Sequence, residues 1–292
     1  MNQPVWQLKK QMCDIGQRIW QRGFCAGNEG NHSIRIGENR VLCTPTGISK
    51  GFLTPDDICV VDMDGNQVER NPNGRRRTSE ILVHLAIYKK RPDIKAVIHS
   101  HPPHATAFAI CNMPLPEGIH PEAEVFLGRV PIAKFAMPSK PDLADSIIPL
   151  IKEDTNTVLM GNHGSVSFGK DLIDTYYKLE ILDAYCRILL LAHPLKRVNT
   201  LTAEEMTGLL QVKQQFGIPD SRLACAPTGC VGEQNQEFFA TFDVQPMSAS
   251  CGCGCNGQGS TTTQLSDTPD GDPTFEAMVQ TITDQIMATV GA

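Results

Sequence analysis

The sequence predicts an α/β fold, a three-layer α/β/α sandwich around a central mixed sheet. Three observations predict it. Helix-period and strand-period segments intermingle from residue 5 to residue 217. They do not keep the regular βαβ beat of an all-parallel sheet. The apolar content of 41% with 20% charged residues, spread over 292 residues, suits one large soluble domain plus an appendage.

The elements follow in order. Val5, Leu8, Met12, Ile15 and Ile19 recur at helical spacing before Gly23, a stop signal, so the chain opens on an amphipathic helix. A Gly/Asn-rich stretch at 27–31 leads into two strands, HSIRI and VLCTP, turned at 37–39. A third strand, ICVVDM, runs to the Asp64-Gly65 turn signal. Thr78 reads as the N-cap of a helix to about Lys90 that buries Ile81, Leu82, Leu85 and Tyr88. Next come a strand (KAVIHSH), a helix at 105–110, a strand (VPIAKF), a helix after Pro141 and a strand (TVLM). Asp171 caps a long helix rich in Leu and Ile. Thr202 and Glu205 form a capping box for a last body helix ending near Gly217.

Beyond Gly217 the texture changes. Residues 219–292 carry nine acids and one base, so a total charge of −6 leaves about +2 on residues 1–218. The predicted organisation is a body at 1–218, a flexible Gly/Ser/Cys-rich linker at 219–271 and an amphipathic helix at 272–292 with Phe275, Met278, Val279, Ile282, Ile286 and Val290 on one stripe. No basic cluster suits a nucleic acid, and no run of 18 apolar residues suits a membrane span. The amino terminus has no secretory h-region, so a cytoplasmic location is expected. Of eleven cysteines, six scattered in the body read as small buried hydrophobes. Cys251, Cys253 and Cys255, with Cys225 and Cys230, receive no metal, because a Gly-interleaved CxCxC poses no rigid site.

The chemistry gathers elsewhere. In a strand, alternate side chains share a face, so His99 and His101 can chelate one ion. A third donor must come from another segment, and His163, flanked by Gly161-Asn162 and Gly164 just after TVLM, is placed to approach closely. His84, His104, His120 and His193 read as ordinary structural residues, with His104 also open to a supporting or substrate contact. Thr78-Ser79-Glu80 at a helix start offers anion-binding donors and a carboxylate that can act as a base. Gly30-Asn31-His32-Ser33 and Thr44-Pro45-Thr46-Gly47 have similar cradle chemistry.

Taken together and in this order, Gly30-Asn31-x-Ser33-x-Arg35, Thr44-Pro45-Thr46-Gly47, Thr78-Ser79-Glu80, HSHPPHATA at 99–107 and Asn162-His163-Gly164 resemble the class II aldolase/adducin family. The similarity runs over roughly residues 5–217 and is nearest to the L-fuculose-1-phosphate aldolases. It implies a largely antiparallel sheet, Zn²⁺ on His99, His101 and His163, and Glu80 as catalytic acid/base. It also implies substrate phosphate on Gly30, Asn31, Thr46, Gly47, Thr78 and Ser79, and a homotetramer with shared active sites. The implied reaction is cleavage of L-fuculose- or L-rhamnulose-1-phosphate to dihydroxyacetone phosphate and lactaldehyde. Where that group carries tyrosine proton donors, this chain has His120-Pro121-Glu122 and Gln215-Phe216-Gly217, so His120, Glu122 and water all stay open for that role. A pentulose-5-phosphate 4-epimerase, a methylthioribulose-1-phosphate dehydratase and a non-catalytic adducin-like scaffold are the alternatives. The 272–292 stripe resembles an encapsulation peptide, which implies a bacterial microcompartment shell protein as partner.

Overall fold

The computed structural model describes residues 4–232 and 235–241. Seven strands form one sheet: β1 (Asn31–Gly37), β2 (Arg40–Cys43), β3 (Cys59–Val61), β4 (Ala96–Ser100), β5 (Ile132–Ala133), β6 (Thr157–Met160) and β7 (Gly164–Gly169). Their order is β3-β2-β1-β4-β7-β6-β5. Every pairing is antiparallel except β5 with β6, so the sheet is mixed and largely antiparallel, as expected. Helices α1 (Val5–Gln21), α2 (Ile81–Lys90), α3 (Pro103–Ile110), α4 (Pro121–Phe126), α5 (Pro141–Ile147), α6 (Leu172–Ala192), α7 (Ala203–Gln215) and α8 (Gln236–Ala240) complete the described chain. No helix among the described residues is long and apolar enough to cross a membrane.

The period-2 alternation of β4 sorts the layers. Val97 joins Val166, Phe168, α2 and α5 in one core. Ala96 and Ile98 face the other way, onto α1 and the first half of α6. The second half of α6 packs with α3, α4 and Phe238 of α8 in a further cluster on Leu159. Because both faces of β4 are covered, the strand is buried throughout.

Several expectations move. Thr78 does not cap α2, which starts at Ile81 with Glu80 in the cap position and no side-chain cap bond. Instead Thr78 pairs with the preceding loop: its N–H donates to the Thr44 carbonyl at 3.1 Å, and Thr46 N–H donates to the Arg76 carbonyl at 3.0 Å. Leu82, expected in the core, is only partly buried, whereas Val83, His84 and Ile87 are inside. Strand β7 is not among the expected strands; its Ser165 and Ser167 alternate with Val166 and Phe168, and both serines are fully buried. Their hydroxyls are spoken for: Ser167 Oγ lies 3.2 Å from Thr157 Oγ1, and Ser165 donates to the Ser100 carbonyl at 3.4 Å. Helix α4 is six residues, too short for a period to register. Of the body cysteines, Cys111 is exposed and Cys13 half-buried.

The expected linker does not begin at residue 219. Arg222 is buried and pairs with Asp220 at 2.7 Å, Glu124 at 2.7 Å and Glu117 at 3.1 Å, while Lys213 of α7 pairs with Asp220 at 2.7 Å. These paired charges lock 220–222 onto α4 and α7. Cys225 and Cys230 form a disulfide in the next turn, and Phe238 of α8 stacks near Phe108. Composition alone, rich in Pro, Gly and acids, hid this packing. Cys251, Cys253 and Cys255 and the 272–292 helix lie outside the described residues.

Candidate functional site

The carboxyl end of β4, the amino end of α2 and the loops after β2 and β6 meet at a cavity of about 200 Å³. It is lined by Gly30, Asn31, Thr46, Gly47, Thr78, Ser79, Glu80, His99, His101 and His163, every residue expected to hold metal or phosphate or to act as acid/base, with Asn28, Glu29 and Pro45; His120 and Glu122, open for the proton-donor role, do not line it. A larger groove of about 1130 Å³ lies beside α1, β1 and the start of α6, but gathers no His/carboxylate set. Chemistry, not size, marks the site.

The backbone explains the convergence. Antiparallel pairing sets Asn31 of β1 opposite His99 of β4. The β2 loop and residues 76–78 pair side by side, bringing the Thr46-Gly47 turn against Thr78-Ser79-Glu80. His101 sits one residue past β4, tied by its N–H to the Phe24 carbonyl at 2.9 Å. Gly164 must be glycine: a Cβ there would stand 2.6 Å from the His101 ring and 2.7 Å from the Ser100 carbonyl. Gly30, at φ +71°, brings its loop so close that a Cβ would meet the His99 carbonyl at 3.1 Å.

Three imidazoles face one point. The His99 and His101 Nε2 atoms are 3.1 Å apart, and Glu80 Oε2 is 3.2 Å from His99 Nε2. His163 Nε2 is 3.8 Å from Glu80 Oε1. Tautomers follow from the other ring nitrogens. His99 Nδ1–H donates to the Ser165 carbonyl at 2.9 Å, and His101 Nδ1–H donates to Glu29 Oε2 at 2.8 Å. Each Nε2 then carries a lone pair toward its neighbour. Burial, followed by the fields of His101 and His163, holds His99 well below the ordinary histidine range, and burial first also lowers His163. Two lone pairs and a carboxylate pressed together with no hydrogen between them fit a cation. The nitrogen spacing is near the roughly 3.3 Å edge of a tetrahedron with donors at about 2.0–2.1 Å. Among the described residues, this trio is the cluster of His, Cys, Asp and Glu able to hold an ion.

A donor chain runs beneath the carboxylate. Asn31 Nδ2 donates to Glu80 Oε2 at 3.0 Å. Its Oδ1 lies 2.6 Å from His84 Nε2, and His84 Nδ1 lies 2.7 Å from Ser33 Oγ, which is 2.8 Å from the Tyr88 hydroxyl. The Asn31 amide, donating to Glu80, sets the direction: Tyr88 to Ser33, Ser33 to His84, His84 to Asn31, Asn31 to Glu80. Asn31, expected on phosphate, therefore also positions the carboxylate. Sequence reasoning missed two of these supports. His84 stands four residues after Glu80, a helical spacing that signals one shared face. Glu29 gives no signal in a single sequence, being one acid in a Gly/Asn-rich loop. His104 is set apart: Asp183 accepts from its Nδ1–H at 2.8 Å and from its backbone N–H at 2.9 Å, anchoring the start of α3 outside the cavity lining.

Burial also drives His84 down to about 3 and His32 to about 4. Both are neutral when folded and titrate near 6.5 when unfolded, so the unfolded state binds more protons between those values. Stability is therefore fully present above about pH 6.5 and falls as pH drops toward 4 and 3. We expect denaturant midpoints to decline from pH 6.5 to pH 4.5, on the order of 1–3 kcal/mol per histidine. His84→Gln should flatten that decline, measured by urea unfolding across the range.

Comparison with known proteins agrees with this geometry. Residues 10–190 match the class II aldolase and adducin N-terminal domain. An L-fuculose phosphate aldolase of Methanocaldococcus jannaschii is 37% identical over 183 residues, 63% of this chain and 96% of that protein. A 3-oxo-tetronate 4-phosphate decarboxylase of Haemophilus influenzae is 31% identical over 205 residues, 69% of this chain and 95% of its own. The solved structure of an L-fuculose 1-phosphate aldolase superposes with a TM-score of 0.65 at 28% identity, covering 72% of this chain and 96% of that one. The motifs, the fold and these matches together make the chain a member of the class II aldolase and adducin N-terminal domain family, and an enzyme of its metal-dependent lyase branch.

Proposed function

We propose that this enzyme uses Zn²⁺ to cleave a deoxy-ketose 1-phosphate, L-fuculose- or L-rhamnulose-1-phosphate, into dihydroxyacetone phosphate and lactaldehyde. The observation that carries the reading is the meeting of three imidazoles and Glu80 in one cavity with Thr46, Gly47 and Ser79. A divalent ion held by His99, His101 and His163 supplies Lewis acidity to oxygens that gain charge as the bond breaks. Everything else falls to the chain. The small residues and hydroxyls at 46–47 and 78–79, beside the amino end of α2, hold the phosphate and fix the ketose. Glu80, oriented through Oε2 by Asn31, returns a proton from Oε1 to the carbon left with excess electrons.

The Haemophilus influenzae relative favours a second reading, decarboxylation of a 3-oxo-tetronate 4-phosphate. The two reactions demand the same site. Loss of lactaldehyde from the first substrate, or of carbon dioxide from the second, leaves the same three-carbon enediolate phosphate. Protonation of that enediolate gives dihydroxyacetone phosphate in both. A panel of fuculose-, rhamnulose- and ribulose-phosphates and a 3-oxo-tetronate 4-phosphate, with Zn²⁺ present, separates them by co-product. Lactaldehyde supports the first reading, carbon dioxide the second, and pentulose interconversion without cleavage would make the chain an epimerase. A homotetramer and shell recruitment through 272–292 belong to the same proposal and rest on resemblance.

A further inference from the structure

Lys50 is 1% exposed and sits on a short 3-10 turn, Lys50–Phe52, three residues after Gly47 of the cavity lining. Its Nζ donates to the main-chain carbonyls of Asn28 at 2.9 Å and Ile48 at 2.8 Å. These carbonyls belong to the two loops that frame one side of the cavity: Asn28 lines it beside Gly30, and Ile48 follows Gly47. The turn is fastened from behind. A Cβ on Gly16 of α1 would stand 2.7 Å from the Lys50 carbonyl, and Gly51 lies under the Trp20 ring. The turn that carries the ammonium is therefore held against α1.

Among the described residues no carboxylate forms an ion pair with Nζ. Glu29 and Cys25 are the acidic groups whose fields reach it, and His32 and His99 are neutral neighbours that feel its charge. A buried ammonium satisfied only by two carbonyls is costly, because it gives up its hydration without a counter-charge. A clamp between loops needs two N–H donors, which a neutral amide also supplies. The charge needs another explanation, and the anion cradle carried by the two loops it ties provides one. We propose that Lys50 is the buried counter-charge of the substrate's phosphate, setting the preference for a phosphorylated over an unphosphorylated ketose without touching the reacting atoms. This rests on the phosphate reading of the cradle given above.

The test uses the full-length, zinc-loaded protein with inorganic phosphate as probe, in calorimetric titration. Lys50→Gln keeps two N–H donors for the carbonyls and removes the charge; Lys50→Met removes both. We expect wild type to bind phosphate, and Lys50→Gln to bind it at least tenfold more weakly with unchanged zinc content. The ratio of kcat/KM for L-fuculose-1-phosphate over L-fuculose should shrink by a similar factor, whereas a purely structural clamp would lower both activities together. Phosphate binding by a folded Lys50→Gln within twofold of wild type overturns the proposal but leaves the cradle standing. If wild type binds no phosphate, the cradle reading fails and the proposal with it. If neither variant folds, wild type alone decides. Burial lowers the lysine to about 8, so at pH 9.5 a large share of it is neutral and the arriving dianion draws protons onto it. Proton uptake, read from titrations in two buffers of different ionisation enthalpy, supports the proposal; its absence overturns it.

Discussion

Glu80→Gln is expected to lower kcat by about 10²–10⁴-fold while zinc content stays at the wild-type level, the range typical of a lost general acid/base. The side chain is only 11% exposed and its neighbourhood is built around it. Asn31 donates to Oε2, and glutamine can keep that bond through its own carbonyl oxygen. The amide nitrogen would then stand where Oε1 stands now, beside His163 Nε2. The geometry survives and the proton-carrying oxygen is lost, so KM should change much less than kcat. Steady-state kinetics with metal analysis on the same sample checks this. Full turnover in the variant would remove Glu80 from the chemistry.

The larger effect should come from the ligands. His99→Ala deletes a buried imidazole whose Nδ1–H is tied to β7 and whose Nε2 faces both partner rings. Two imidazoles are left for an ion that ordinarily takes three protein donors, and metal content should fall from one per chain to near zero with turnover below detection. The fold should persist, since His99 sits at the end of β4, outside the four apolar clusters. Glu29→Gln makes a graded contrast. The carboxylate only steers His101 through Nδ1, so metal affinity should drop about 10–100-fold and excess Zn²⁺ should restore turnover. Metal analysis and far-UV circular dichroism on both variants separate a lost ligand from a lost fold.

What the sequence revealed and what it withheld have physical reasons. The His99/His101 pair was legible because alternation along a strand is a local rule, and the five residues before His101 form β4. The Thr202/Glu205 capping box, the Asp171 cap and the helices α1, α6 and α7 were legible for the same reason. His163 needed the family pattern, because its approach depends on Gly164 lying against a ring 63 residues earlier in the chain. Strand β7 carries a local alternation of Ser165 and Ser167 with Val166 and Phe168, but the burial of its serine face depends on partners on other strands. Glu29, the Arg222 cluster and the charge of Lys50 were hidden likewise. Each acquires meaning only from residues that the fold brings to it.

The central claim is that bound metal and Glu80 together turn phosphorylated substrate into dihydroxyacetone phosphate. The most direct measurement strips the metal with a chelator, adds Zn²⁺ back in substoichiometric steps, and follows dihydroxyacetone phosphate release from L-fuculose-1-phosphate and from a 3-oxo-tetronate 4-phosphate. The account predicts no release from the stripped protein, and a rise with one of the two substrates that saturates at one ion per chain. Full-rate release from the stripped protein, or a metal-saturated protein that forms no dihydroxyacetone phosphate from either substrate, would contradict it.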